Sequence, residues 1–267
     1  MYLTDYHFHT LCSDSPATLA QEAQAALDAG LREICVTDHW NLLDQQGSHL
    51  PTVYDWAPSL KQWEQTRDRW PGRLEIRLGI EVGNAVIDPA AVDASLTIPE
   101  LDFVIGSLHS QSAAAGGRGI FTASCECRKR EDGVAILDDY MDMLEELVDT
   151  NGWDVLGHII YPLRYIPAEY ELDLRPWWDR LAEVFRSAIR QGRGIEFNTS
   201  CGTTVEQWRD ALALYRGLGG EILTLGSDAH HPEFMGAAFP EAVELIRETG
   251  FRYLTVYHHR TPLFYRI

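Results

Sequence analysis

Ser227-Asp228-Ala229-His230 sets a carboxylate and an imidazole two residues apart at the end of the apolar run Glu221 to Gly226. Side chains in extended structure alternate faces, so such a pair points one way and forms a two-ligand clip. The N-terminal stretch repeats the device: Leu3 to His9 closes on His7 and His9, and Asp14 follows. Between these ends stand Thr37-Asp38-His39, Gly79-Ile80-Glu81, Ser107-Leu108-His109 and Gly157-His158, each just after a strand-like apolar run. Nitrogen and oxygen donors with no obligatory thiolate suit zinc, manganese or iron(II). The donors describe a metal site, provided the intervening chain gathers them.

The elements between the donors alternate. Strand patterns cover Tyr2 to Phe8, Glu33 to Thr37, Leu74 to Val82, Leu101 to Leu108, Trp153 to Gly157, Gly194 to Asn198 and Glu221 to Gly226, with a last short one at Tyr253 to Tyr257. Helical spacing covers Pro16 to Gly30, Pro58 to Trp70, Glu131 to Thr150, a helix opening near Pro176 and running through Leu181 to Arg190, Thr204 to Leu218 and Pro240 to Thr249. Pro16 suits a first turn, Gly30 a helix stop, and Thr203 or Thr204 a cap. Asn41 to Trp56 reads as a loop over the rim, and Ala113 to Gly119 as a mobile loop able to cover a site. Such alternation predicts a parallel sheet with helices outside. Closed into a barrel, it carries the C-terminal ends of all strands on one face. Every candidate ligand follows its strand, whereas histidines kept for packing would fall at either end.

The length of 267 residues fits one α/β barrel domain, residues 1–267. With 22 basic and 40 acidic side chains the formal charge is −18, which disfavours binding to long nucleic acid. No stretch reads as a signal peptide or membrane span, so a cytoplasmic protein is expected. The five scattered cysteines argue against a disulfide framework. Cys125-Glu126-Cys127 is too tightly spaced for the usual thiolate pair, and Cys12 either lines the site or fills space beside it. Glu81 ends an otherwise buried run, where an unpaired carboxylate is costly, so a cation or basic partner is expected.

His7-Phe8-His9, Asp14, Thr37-Asp38-His39, Glu81, Ser107-Leu108-His109, Gly157-His158 and Ser227-Asp228-Ala229-His230 resemble, in order, the four motifs of the PHP (polymerase and histidinol phosphatase) superfamily. The length and the stretch Glu196-Phe197-Asn198-Thr199-Ser200 look most like its histidinol-phosphate phosphatases of the HisJ type. That resemblance implies a distorted TIM-like (β/α)7 barrel holding two or three divalent ions, zinc, manganese or iron. It implies His7, His9, Glu81 and Asp228 as ligands of a first ion. Glu81, His109 and His158 follow for a second, and Asp14, His39 and His230 for a third.

The implied activity is hydrolysis of a small phosphate monoester, histidinol phosphate in histidine synthesis, with a hydroxide held between ions as nucleophile. Arg164 is the expected phosphate-binding cation, because its fork matches phosphate bidentately. The departing alkoxide needs a proton, for which a metal-bound water, Asp14 and His230, acting indirectly, are the open alternatives. Asn198 is expected at the same rim, either positioning substrate or fixing a neighbouring loop, and Trp40 or Tyr161 against the substrate ring. His231 is expected on the opposite face from His230, behind the ligands or facing solvent, and His49, His258 and His259 carry no expected role. The alternatives are a phosphoesterase for nucleotide monophosphates and a non-catalytic metal-binding regulatory domain.

Overall fold

The computed structural model describes residues 2–267. In chain order the strands are β1 (Thr4–Asp5), β2 (Glu33–Val36), β3 (His39–Asn41), β4 (Glu75–Gly83), β5 (Phe103–Ser107), β6 (Val155–Leu156), β7 (Gly194–Asn198), β8 (Leu223–Gly226), β9 (Tyr253–His258) and β10 (Thr261–Arg266). The helices are α1 (Leu19–Asp28), α2 (Ala57–Thr66), α3 (Pro89–Ser95), α4 (Ile120–Cys125), α5 (Arg130–Val148), α6 (Trp178–Arg190), α7 (Arg209–Gly217) and α8 (Phe239–Glu248).

Seven strands run parallel in the order β1-β2-β4-β5-β6-β7-β8. The last meets the first: Tyr6 N–H donates to Leu225 O (2.9 Å), Asp228 N–H to His7 O (2.7 Å) and His9 N–H to Ala229 O (2.9 Å). The Asp5 carboxylate spans this seam, accepting from the backbone N–H of His7, Ser227 and Gly236. The sheet is thereby closed into the expected seven-stranded, TIM-like barrel, and the seam bonds draw His7 and Asp228 to one point on its rim.

Side chains of the strands divide by period 2. Ile34, Val36, Val104 and Leu156 face outward into a large cluster with helix residues such as Leu19, Leu137, Phe185, Leu212 and Ile246. Cys35, Phe103, Ile105 and Val155 face inward, where Tyr6, Val256 and Tyr257 join them. The hairpin β9–β10 therefore plugs the end of the barrel away from the strand C-termini, and Arg260 ties it down through Asp154 (Nε to Oδ2, 2.6 Å).

Several expected boundaries shift for local reasons. The first helix begins at Leu19 rather than Pro16, because Thr18 and Gln21 form a capping box. Gly30 does end it, at φ 78°. Neither Thr203 nor Thr204 caps α7; the Thr204 hydroxyl donates to Asn198 O instead. Ala113 to Gly119, expected as a mobile cover, is fastened: the Ser112 N–H donates to Asp139 and the Gly119 N–H to Gln45 O. Strands β3 and β10 were not expected.

Two outcomes test the packing. Tyr257 is 2% exposed, rests on Phe103 at 4.9 Å between ring centroids and exchanges hydrogen bonds with Tyr6. Tyr257→Ala is expected to cost about 3–5 kcal/mol in urea unfolding, an unchanged midpoint being the contrary result. On α1, Glu22 is fully buried with neither carboxylate oxygen partnered among the described residues. Burial, then the nearby Asp5, pushes its pKa up to about 8. The folded state thus holds a proton that the unfolded chain releases near about pH 4.3, so this group makes stability fall as pH rises across that window. Glu22→Gln is expected to flatten the loss of stability between about pH 5 and pH 8; an identical slope in both proteins contradicts it.

Candidate metal centre

Glu81 lies on β4 at the strand C-termini, fully buried, and imidazoles converge on both of its oxygens. Oε1 is 2.7 Å from His158 Nε2 and 3.1 Å from His109 Nε2. Oε2 is 2.6 Å from His39 Nδ1 and 3.3 Å from His7 Nε2. Asp228 closes the next side, with Oδ1 3.2 Å from His9 Nε2 and 3.5 Å from His7 Nε2. At the mouth, Asp14 reaches His230 Nε2 (3.3 Å) and His39 Nε2 (3.6 Å). All nine residues expected from the sequence are brought together.

Each donor is held by the chain that carries it. Strand β3 pairs with β4 in the register His39↔Glu81, which sets that imidazole beside the carboxylate. Asn41, two residues on, takes His109 Nδ1 at 2.7 Å and turns its Nε2 toward Glu81. Asn84, at φ 62°, accepts from the backbone N–H of His109 and Ser110 and so fixes the exit of β5. Asp38 accepts from Thr10 and Ser13, which orders the loop carrying Asp14. Asp228 stands after the end of β8 with φ 59°, so left-handed backbone aims the Asp228/His230 clip. Strand alternation, the reason expected from the sequence, does not operate there.

The arrangement fits divalent ions. His39 Nδ1 and Glu81 Oε2 lie 2.6 Å apart, yet neither finds a hydrogen-bond partner among the described residues, and His7 Nε2 is likewise orphaned. Buried polar atoms rarely stay unpaired, and lone pairs crowded on a common point are what a cation satisfies. Four sets of donor atoms each fall within 4.8 Å: His9, Asp14, His39 and His230; His7, Glu81 and His158; His7, His9 and Asp228; and His39, Glu81 and His109. They overlap at His7, His9, His39 and Glu81, the pattern of adjoining ions sharing ligands.

The electrostatics agree. Burial disfavours the charge of Glu81, but His109, His7 and His39 reverse this and hold it well below the usual carboxylate range. Burial, with His39 next, pushes His9 well down, which keeps it a neutral donor. At the mouth, burial works against the cation of His230, but Asp14 and Asp228 raise its pKa to about 9.

A cleft of about 250 Å³ opens above the donors, with Arg164, Tyr161, Tyr165, Phe121, Asn41 and Gln45 in its walls. The Arg164 side chain is buried; Nη1 donates to Asp228 Oδ2 (2.8 Å), while Nε and Nη2 have no partner among the described residues. Asn198 does not line this cleft. It is buried beneath Asp228, with Nδ2 3.3 Å from Asp228 Oδ2 and 3.1 Å from Glu196 Oε1. Trp40 is also turned away, packing on Tyr54 and donating to Pro51 O. Cys125 and Cys127 join no donor group among the described residues. Sequence reasoning missed Asn41, Asn84 and the hydrogen-bonding role of Glu196. The only signal was an amide or acid at the C-terminal end of a strand.

The PHP domain family matches residues 5–200 of the chain. A probable histidinol-phosphatase of Deinococcus radiodurans is 31% identical, the alignment covering 97% of this chain and 98% of that protein. The histidinol-phosphatase of Lactococcus lactis is 24% identical over 95% of this chain and 93% of its own. The crystal structure of histidinol phosphate phosphatase from Lactococcus lactis, complexed with zinc, L-histidinol and phosphate, superposes with a TM-score of 0.81. It is 24% identical and covers 97% of this chain and 98% of that one.

His9→Ala is expected to lower the divalent metal content measured on purified protein supplied with zinc or manganese, and to abolish any hydrolysis. Full occupancy with an unchanged rate contradicts the ligand assignment.

Proposed function

The chain belongs to the PHP domain family, and on that premise we propose that it is a metal-dependent phosphatase converting L-histidinol phosphate and water to L-histidinol and phosphate. The observation that carries the reading is the set of nine donors gathered on one rim, Glu81 at their centre, with the unsatisfied edge of Arg164 in the wall of the same cleft. We assign three divalent sites. His7, His9 and Asp228 serve one, His109 and His158 a second with Glu81 shared between them, and Asp14, His39 and His230 the third. Ions bound there supply Lewis acidity toward the phosphoryl oxygens and make water a competent nucleophile at neutral pH. Zinc, manganese and iron suit a site of imidazoles and carboxylates.

The side chains do the rest. Arg164 offers Nε and Nη2 to two phosphoryl oxygens, while Asp228 holds its Nη1 and fixes the plane of the fork. Asp14 and His230 stand at the exposed mouth beside the point where the alkoxide departs; with their donor atoms committed to an ion, they assist its protonation only indirectly, by orienting water there. Tyr161, Tyr165 and Phe121 make a continuous aromatic wall, with ring centroids 5.2 and 4.8 Å apart, against which an imidazole ring can stack. At about 250 Å³ the cleft accommodates a phosphoryl group on a short side chain. This reading places the protein in histidine synthesis, and hence in the cytoplasm.

Release of inorganic phosphate from histidinol phosphate, AMP and an aryl phosphate, with manganese or zinc supplied, tests the proposal. Turnover confined to the first is expected. Equal slow turnover of all three identifies a general phosphatase, and none in metal-loaded protein identifies a binding domain. Arg164→Ala is expected to lower kcat/KM for histidinol phosphate by roughly 10²–10³-fold, and no loss contradicts its role.

A further inference from the structure

Glu196, on β7, is 1% exposed and has no Arg or Lys partner among the described residues. Its two oxygens serve two different metal-binding histidines. Oε1 takes the His7 Nδ1 at 2.6 Å, and Oε2 accepts the backbone N–H of His158 at 2.8 Å. The backbone of His158 stands at φ 20°, a region side-chain-bearing residues rarely adopt, and the Oε2 bond is an anchor for it. Neighbours hold the carboxylate in turn: Asn198 Nδ2 donates to Oε1 at 3.1 Å. Space has been cleared for it as well. A Cβ at Gly226 would run into Glu196 Oε1 and lie 2.5 Å from His7 Cβ.

We infer that Glu196 is a positioning residue that fixes the His7 tautomer and the His158 backbone together, setting the spacing of the two donor groups that share Glu81. This rests on the proposed reading in which His7 and His158 each hold an ion. A carboxylate only accepts, so it obliges His7 Nδ1 to carry the proton and leaves the Nε2 lone pair for the metal. The second oxygen meets a donor that cannot change its role, the N–H of His158. Glutamine has the same shape but only one acceptor. With its oxygen toward His7, its amide confronts the His158 N–H. Turned round, its amide selects the His7 tautomer that protonates Nε2 and blocks the metal.

The test is zinc binding to Glu196→Gln, read by competition with a chromophoric chelator that resolves the successive ions. The result expected is a 10–100-fold weakening of the two sites that share Glu81, with the Asp14, His39 and His230 site unchanged. Nuclear magnetic resonance of the zinc-loaded wild type is expected to show His7 protonated at Nδ1, and that signal is expected to be lost in the variant. A general loosening of the fold would instead weaken all sites alike, and that result overturns the inference, as does wild-type affinity throughout. Where Glu196→Gln does not fold, Glu196→Asp keeps the charge but is too short to reach both partners. The same selective weakening then supports the inference, and wild-type affinity overturns it. Wild-type protein that binds no zinc removes the metal-centre reading and the inference with it, a result distinct from equal binding by wild type and variant.

Discussion

A carboxylate sealed from water among imidazoles is the constraint on which this architecture turns. Glu81 cannot be ionised at that depth without positive charge close on several sides, and desolvation of a lone carboxylate there would cost several kcal/mol. Imidazoles from four other segments supply the surroundings, yet their nitrogens meet the Glu81 oxygens in geometry too poor for a full set of hydrogen bonds. Divalent ions bound there would resolve both problems, offsetting the carboxylates and using the lone pairs that the fold leaves facing one another. The catalytic potential and the structural tension have the same origin.

The barrel is what makes the convergence affordable in chain length. Donors scattered from His7 to His230 meet because seven parallel strands end on one rim and the β8–β1 seam is stitched by backbone bonds and by Asp5. Burial grades across the site. Glu81, His7, His9 and His158 form a dry floor, while Asp14 and His230 stay open to solvent. Phosphate chemistry needs that gradient: low dielectric where charge is to be stabilised, and access where the ester enters and the alcohol leaves.

The donor set was legible in the sequence because strand-end histidines break an apolar pattern, and a barrel converts that one-dimensional position into shared space. The alternation of elements was equally plain. What stayed hidden was local. Strand β3, His39-Trp40-Asn41, has no apolar alternation and forms because the edge of β4 is available to it. The left-handed turn at Asp228 has no glycine to announce it. Asn198, expected beside the substrate, lies under Asp228, since a strand-end amide serves ligand or scaffold equally well and only packing distinguishes them. Trp40 reads from sequence as a rim aromatic but turns outward with the pleat of β3 onto Tyr54.

Anomalous diffraction from metal-soaked crystals, recorded on either side of the zinc, manganese and iron edges, bears most directly on the central claim. The account requires peaks clustered within bonding distance of the nine donors, two of them flanking the Glu81 carboxylate and one between Asp14, His39 and His230. Ions bound only elsewhere on the molecule, or none near Glu81, would contradict it.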